Sequence, residues 1–385
     1  MKAPYFAMLW NSVLLLPRLV VASLRWWVGQ RLGRPAARLQ RLIGIDWLAA
    51  TLGLDPRLIG SACIEEIHTG TATRSRLQIR YSDSQAPTPG PTSLFIKSTP
   101  PDFGAALFGA LFKLGGNEVA FYQELRSGIP VRTPRVYSCE GDSTSYAMLL
   151  EDLTTQGCTF RTLAEECSRE EARRIVTTLA QLHAHFWQSP RFATDLAWVN
   201  RFETNRDFRL LNLVRQVSIP IACRKFAEVI PREIREVVPQ LMNNYRRLEE
   251  HWAQGPRTLL HGDAHLGNMY FQDGQAGLLD WQVTQYGQGM RDISYFLINS
   301  MQEELRRSHQ EELIQHYLAT LQDRGVSLDF GTAWRQYRLQ SVYAWIAGVV
   351  TAPSNFQAED VVVAGLSRSC RAILDLDAIS LLREL

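Results

Sequence analysis

The chain has 385 residues, enough for two separate cores, and its 46% apolar and 21% charged side chains exclude wholesale disorder. A formal net charge of +2 gives no nucleic-acid signature. Six cysteines without C-x-x-C spacing point to neither a zinc site nor a disulfide framework, so reduced thiols and a cytoplasmic setting are expected.

The charge is unevenly spread. Residues 1–45 carry Lys2, Arg18, Arg25, Arg31, Arg34, Arg38 and Arg41 and no acid. The same stretch is apolar at 8–10, 13–16, 19–24 and 26–27. Pro17-Arg18 in its middle opposes a spanning helix, because a central arginine costs about 2.5–3.5 kcal/mol on insertion. Val20-Val21-Ala22 resembles a signal cleavage site, but Arg18 stands too close to it. Three readings remain open for this extension, taken as residues 1–36, a true span or a signal being the least favoured. Otherwise it is either an extra helix packed on the body or an interfacial amphipathic helix, which would make the protein membrane-associated.

Further along, Ile45, Leu48, Ala49 and Leu52 fall at helical spacing over 45–54. Residues 63–68 and 74–81 read as strands around the small-residue turn Thr69-Gly70-Thr71-Ala72-Thr73. Residues 82–92 read as a loop, and 93–97 as a strand ending at Lys97. A helix over 116–127 and strands near 135–138 and 146–150 complete a mixed lobe, 37–152. From 153 to 385 the pattern is helical, with helices over 168–187, 231–252, 294–305, 311–322 and 332–350. Two short strands, 268–271 and 277–280, interrupt it around Asp273-Gly274. The fold class is therefore α+β: a small N-terminal lobe with an antiparallel sheet, a larger mainly helical C-terminal lobe, and a cleft suited to a nucleotide.

Residues 261–268 read His-Gly-Asp-Ala-His-Leu-Gly-Asn, and an apolar run ends at Asp280 in Leu278-Leu279-Asp280-Trp281. Asp263, held in a loop, can take the proton of an attacking hydroxyl. Asn268 and Asp280, on either side of a short hairpin, offer oxygens to a hard cation such as Mg²⁺, which needs only one or two protein ligands. Phosphoryl transfer relies on such positioning and charge neutralisation.

The order HGDAHLGN…LLDWQ…RDISYFL resembles the aminoglycoside phosphotransferase and choline kinase superfamily, relatives of the protein kinases. Leu-His-Ala-His-Phe-Trp at 182–187 and Asp280-Trp281-Gln282 look more like its ecdysteroid-kinase-like branch or a bacterial relative. The resemblance implies a protein-kinase-like two-lobed fold and an ATP- and Mg²⁺-dependent kinase acting on a hydroxyl of a small molecule. It implies Asp263 as catalytic base, Asn268 and Asp280 as metal ligands, His261 as a brace of the loop, and Asp292 as a second brace. His265 is a further candidate at the site, and His183 reads as a core residue. The resemblance also makes Lys97 the phosphate clamp and Glu118, rather than Glu124, its partner. Gly70 and Thr71 would cover the phosphates, and Met148 and Leu150 would belong to the adenine-binding hinge. Trp281, Tyr286, Tyr295, Phe296, Tyr343 and Trp345 fall where relatives line the acceptor pocket. Residues 332–357 hold no acid, which suits a neutral or apolar acceptor better than a polycation. An aminoglycoside or macrolide kinase is the alternative enzyme, and a non-catalytic nucleotide-binding protein the alternative of another class.

Overall fold

The computed structural model describes residues 2–33, 41–83, 89–202, 208–353 and 358–384. The chain divides into two compact units. One comprises Leu14–Gly128 and Thr133–Cys158; the other comprises Met1–Val13, Ile129–Arg132 and Thr159–Leu385.

The N-terminal extension is one helix, α1 (Lys2–Arg31), which runs through Pro17. The expected end of this extension, at residue 36, lies outside the described residues. α2 (Ile45–Leu52) ends at Gly53 in the left-handed conformation, whose N–H closes onto Ala49 and Ala50. The expected hairpin forms as β1 (Ile59–Thr69) and β2 (Thr73–Tyr81), with Thr69 opposite Thr73. β3 (Ser93–Ser98) follows. α3 (Phe103–Leu111) was not read from the sequence, and the helix expected over 116–127 is α4 (Leu114–Ala120), continued by a π-helical turn at Phe121–Leu125. β4 (Val136–Gly141) and β5 (Tyr146–Glu151) complete an antiparallel sheet of order β1-β2-β3-β5-β4. One face carries the side chains of Leu77, Ile79, Leu94, Ile96 and Leu149 into a core closed by Leu48 and Ala49 of α2. The period of two then turns Lys97 to the other face.

In the second unit a two-residue strand β6 (Thr159–Phe160) precedes α5 (Arg169–His185). Ser168 caps α5 in a reciprocal capping box with Glu171, so the start is specified locally. After β7 (Asn200–Arg201) come α6 (Phe208–Lys225) and α7 (Arg232–Trp252). Ile234, Leu241, Tyr245, Leu248 and Trp252 of α7 lie on one stripe and pack in a core with later helices. β8 (Thr258–Leu260), β9 (Met269–Gln272), β10 (Gln275–Leu278) and β11 (Gln285–Gly287) form two small sheets, β10-β9-β6 and β7-β11-β8. The helices expected over 294–305 and 311–322 are instead α8 (Met290–Ser300) and α9 (Glu303–Gln322). The break falls at Met301 and Gln302, both extended, with no Gly or Pro to announce it. α10 (Phe330–Thr351), α11 (Glu359–Asp375) and α12 (Ala378–Arg383) finish the unit.

Candidate active site

β8, fully buried, delivers the chain to His261, and the turn that follows is held from beneath by Asp292 of α8. The two Asp292 carboxylate oxygens accept the His261 N–H at 2.7 Å and the Gly262 N–H at 3.0 Å. His183 Nε2 lies 3.2 Å from the same carboxylate, and its Nδ1 lies 3.0 Å from the Tyr317 hydroxyl. A carboxylate only accepts, so Nε2 carries the proton and Nδ1 accepts from Tyr317. Burial, then the Asp292 charge, pushes the Tyr317 phenol well above its ordinary value, which keeps it a neutral donor. The core reading of His183 therefore holds, and it extends to a chain of hydrogen bonds that ends on the loop. Gly262 has φ +86°, and a Cβ there would stand 2.1 Å from the Val283 carbonyl oxygen. Only glycine fits.

His261 is buried. Its Nε2 donates to the Leu279 carbonyl at 2.7 Å, its Nδ1 accepts the Asp263 N–H at 3.3 Å, and its ring lies 4.7 Å from that of Trp281. These contacts tie the loop to the Leu279–Trp281 segment.

Asp263 is gripped from three sides. Asn268 Nδ2 donates to its carbonyl and to its Oδ2, both at 3.0 Å. His265 Nε2 stands 3.5 Å from the same Oδ2, and the Tyr295 hydroxyl lies close enough to favour the charged carboxylate. Burial by itself would raise this carboxyl. The charge and hydrogen bond of His265, with the Tyr295 hydroxyl, outweigh it and hold the group far below the usual carboxylate range. Burial, followed by the Asp263 charge, drives Tyr295 the other way, well above the usual phenol.

The hairpin that follows fixes Asp280 relative to Asn268. Asp273 (φ 52°) and Gly274 (φ 77°) make a two-residue turn with both φ positive, the type that matches strand twist. Met269 pairs with Leu278, and the Leu279 N–H reaches the Asn268 carbonyl at 2.9 Å. Asn268 and Asp280 thus flank the open end of the hairpin. Asp280 has φ 63°, a conformation aspartate tolerates better than most residues but which costs of order 1–3 kcal/mol. Because Nδ2 of Asn268 is spent on Asp263, its Oδ1 faces away from that carboxylate. Two oxygen donors of this kind fit magnesium, which completes its shell with phosphate and water. Among the described residues no group of three or more His, Cys, Asp and Glu side chains is arranged to hold a metal.

In the other unit Lys97 and Glu118 form a buried ion pair at 2.6 Å. Glu124, further along, is exposed. Gly70 and Thr71 occupy the β1–β2 turn, where the Gly70 N–H bonds to the Ala72 carbonyl at 3.1 Å. Met148 lies opposite Lys97 on one side and Cys139 on the other, and Leu150 opposite Phe95 and Val136. Both stand inside the sheet, so any free hinge backbone begins beyond them.

Of the six aromatic residues singled out from the sequence, Trp281, Phe296 and Trp345 are core; Tyr286, Tyr295 and Tyr343 remain half-buried. The Tyr343 hydroxyl donates to the Gly262 carbonyl at 3.3 Å, and its ring lies 5.9 Å from that of Tyr295. Arg291, missed in the sequence, lies over the Tyr343 ring at 4.5 Å and the Trp252 ring at 5.1 Å. It also donates to Gln285 Oε1 at 2.8 Å and Gln340 Oε1 at 3.1 Å. Its place beside Asp292 was the one available signal. The side adjoining Asp263 is therefore aromatic, with the Arg291 guanidinium beyond Tyr343 and the Glu249 carboxylate near that guanidinium.

No curated protein sequence matches the chain closely enough to count as a relative. Among solved structures it is similar to a Ralstonia eutropha protein described by likeness as an aminoglycoside phosphotransferase, at 13% identity and a TM-score of 0.52 over 89% of this chain and 98% of that one. It is also similar to a Plasmodium vivax ethanolamine kinase, at 14% identity and a TM-score of 0.51 over 83% of each chain. These likenesses carry the two-lobed kinase-like fold. The profile of the ecdysteroid kinase-like family matches residues 72–330, well over half of the sequence. The chain is accordingly a member of the ecdysteroid kinase-like family.

Proposed function

We propose that the protein is an ATP-dependent kinase that transfers the γ-phosphoryl group to a hydroxyl of a neutral or apolar small molecule. The observation that carries this reading is the Asp263 carboxylate, ionised by its surroundings and held by Asn268, His265 and Tyr295 beside the open end of the hairpin. A carboxylate so fixed can accept the acceptor's hydroxyl proton as the new O–P bond forms and the bond from phosphorus to the leaving diphosphate breaks. The Tyr295 hydroxyl, close to that carboxylate, points to the side on which an acceptor hydroxyl would sit.

Asn268 Oδ1 and the Asp280 carboxylate would hold Mg²⁺, which when bound neutralises phosphate charge and orients the transferring group. Lys97, fixed by Glu118, would neutralise the α- and β-phosphates, and the Gly70-Thr71 turn would offer backbone N–H groups to them. The aromatic pair Tyr295 and Tyr343 beside Asp263 supports a neutral or apolar acceptor.

The test is a pool of small hydroxylated metabolites incubated with labelled ATP, comparing the wild type with Asp263→Ala. Label transfer lost in the variant, with nucleotide binding and folding retained, is the expected result. Transfer at the wild-type rate by Asp263→Ala would remove the assignment of the base, and no transfer by either would favour a binding protein.

A further inference from the structure

We infer that the outer face of α1 is a docking surface for an anionic lipid bilayer. Over residues 17–33 the helix has two unlike faces. Trp26 is half-buried with its ring 5.0 Å edge-on from Phe103, and Gly29 is buried, so that side lies against the body of its unit. The other side carries Val20 (52% exposed), Val21 (48%), Leu24 (56%), Trp27 (51%), Val28 (41%) and Leu32 (61%). These six are half of the twelve large apolar side chains exposed among the described residues, although they occupy only thirteen positions. At about 100° per residue the five inside the helix fall on an arc of about 120°, and Leu32 follows just past its end. A soluble helix places its apolar stripe inward; this one turns a second apolar stripe to the outside. A continuous apolar surface of this kind marks a partner rather than ordinary exposure.

Charge selects the partner. Residues 1–45 hold seven basic side chains and no acid, whereas the rest of the chain is net acidic by five, since the whole sums to +2. Arg31 lies over the Trp27 ring at 4.5 Å, which puts a cation beside the indole on the outward side. Tryptophan and arginine next to aliphatic side chains suit the headgroup boundary, where the ring sits among the headgroups and the guanidinium meets phosphate. A second copy of this chain is the poorer occupant, because a two-fold contact would set these like charges against one another. Spanning is a different matter: among the described residues no helix is long and apolar enough to cross a membrane. The helix therefore lies in the interface plane, with Val20, Leu24 and Trp27 immersed and the arginines at phosphate level. Such contact is reversible, as one weak anchor gives only marginal binding.

The test is cosedimentation of the full chain with vesicles of phosphatidylcholine alone and of phosphatidylcholine containing about one third phosphatidylserine. Binding is expected to the anionic vesicles, at least tenfold weaker to the neutral ones, and falling as salt rises. The double variant Leu24→Glu with Trp27→Glu should lose at least tenfold in anionic-vesicle binding while its thermal unfolding and nucleotide binding stay as in the wild type. No binding to either vesicle, equal binding by the variant, or a concentration-dependent dimer abolished by the same two substitutions would each overturn the proposal.

Discussion

The Asn268 amide donates to two oxygens of one residue, the Asp263 carbonyl and Oδ2, each at 3.0 Å. One side chain thereby fixes the proposed base and leaves its own carbonyl oxygen for the proposed Mg²⁺. Asn268→Ala removes both services and should lower kcat/KM about 100-fold, about 2.7 kcal/mol of transition-state stabilisation. Asn268→Asp restores the oxygen donor but sets a second negative charge against Asp263. Magnesium titrations of turnover should therefore show the alanine variant needing more metal than the aspartate variant, with both slow.

The Asp263 carboxyl is depressed, so it is charged at any pH where the fold is studied. Its contribution to stability is present above the unfolded carboxylate value, about 3.9, and is lost only as pH falls through the lower folded value. An acid limb in the rate between pH 5 and 7 should therefore belong to another group. Tyr295→Phe deletes one donor to the charged form and should move the Asp263 carboxyl upward. A titration of the Asp263 carboxyl by NMR that showed no upward movement in the variant would count against the Tyr295 contact.

Asp292 is buried and answers two backbone N–H groups and His183. Asp292→Ala would leave all three without their acceptor, a loss of about 3–5 kcal/mol. Tyr317→Phe takes only the last donor from the chain and should cost about 1 kcal/mol. Urea unfolding of the two variants checks the ordering, and turnover should fall further for Asp292→Ala because the loop geometry goes with it.

Lys97→Met would strand the Glu118 carboxylate in a buried site and should destabilise by about 3–5 kcal/mol. The paired change Lys97→Met with Glu118→Leu should recover much of that stability, since no unpaired charge is left. It should not recover turnover or nucleotide affinity. Full recovery of both would reduce the ion pair to a packing feature.

Much of this was legible locally. The loop from His261 to Asn268, the Asp273-Gly274 turn, the strand ending in Lys97 and the Ser168 capping box are each specified by a few adjacent residues with their own geometry. Other features depend on partners far along the chain. The contact between Tyr295 and Asp263, and the stacking of Arg291 on Tyr343 and Trp252, join elements whose meeting no periodicity announces. The separation of α8 from α9 at Met301 and Gln302 has no breaker residue, so its extended backbone is imposed by packing around a fully buried Met301. Met148 and Leu150 were read for the hinge from likeness alone, and the sheet register leaves the nearest strand end at Glu151.

The two-residue tip at Asp273 and Gly274 sets a ruler. Strand residues alternate sides, so the spacing of Asn268 and Asp280 is counted in whole pleats from that tip. An added residue that kept the two-residue turn and so slipped the pairing by one would reverse the side on which the chain leaves the ladder and send the Asp280 carboxylate away from Asn268. An insertion that touches no ligand and removes no side chain would then be as damaging to catalysis as deletion of the aspartate itself.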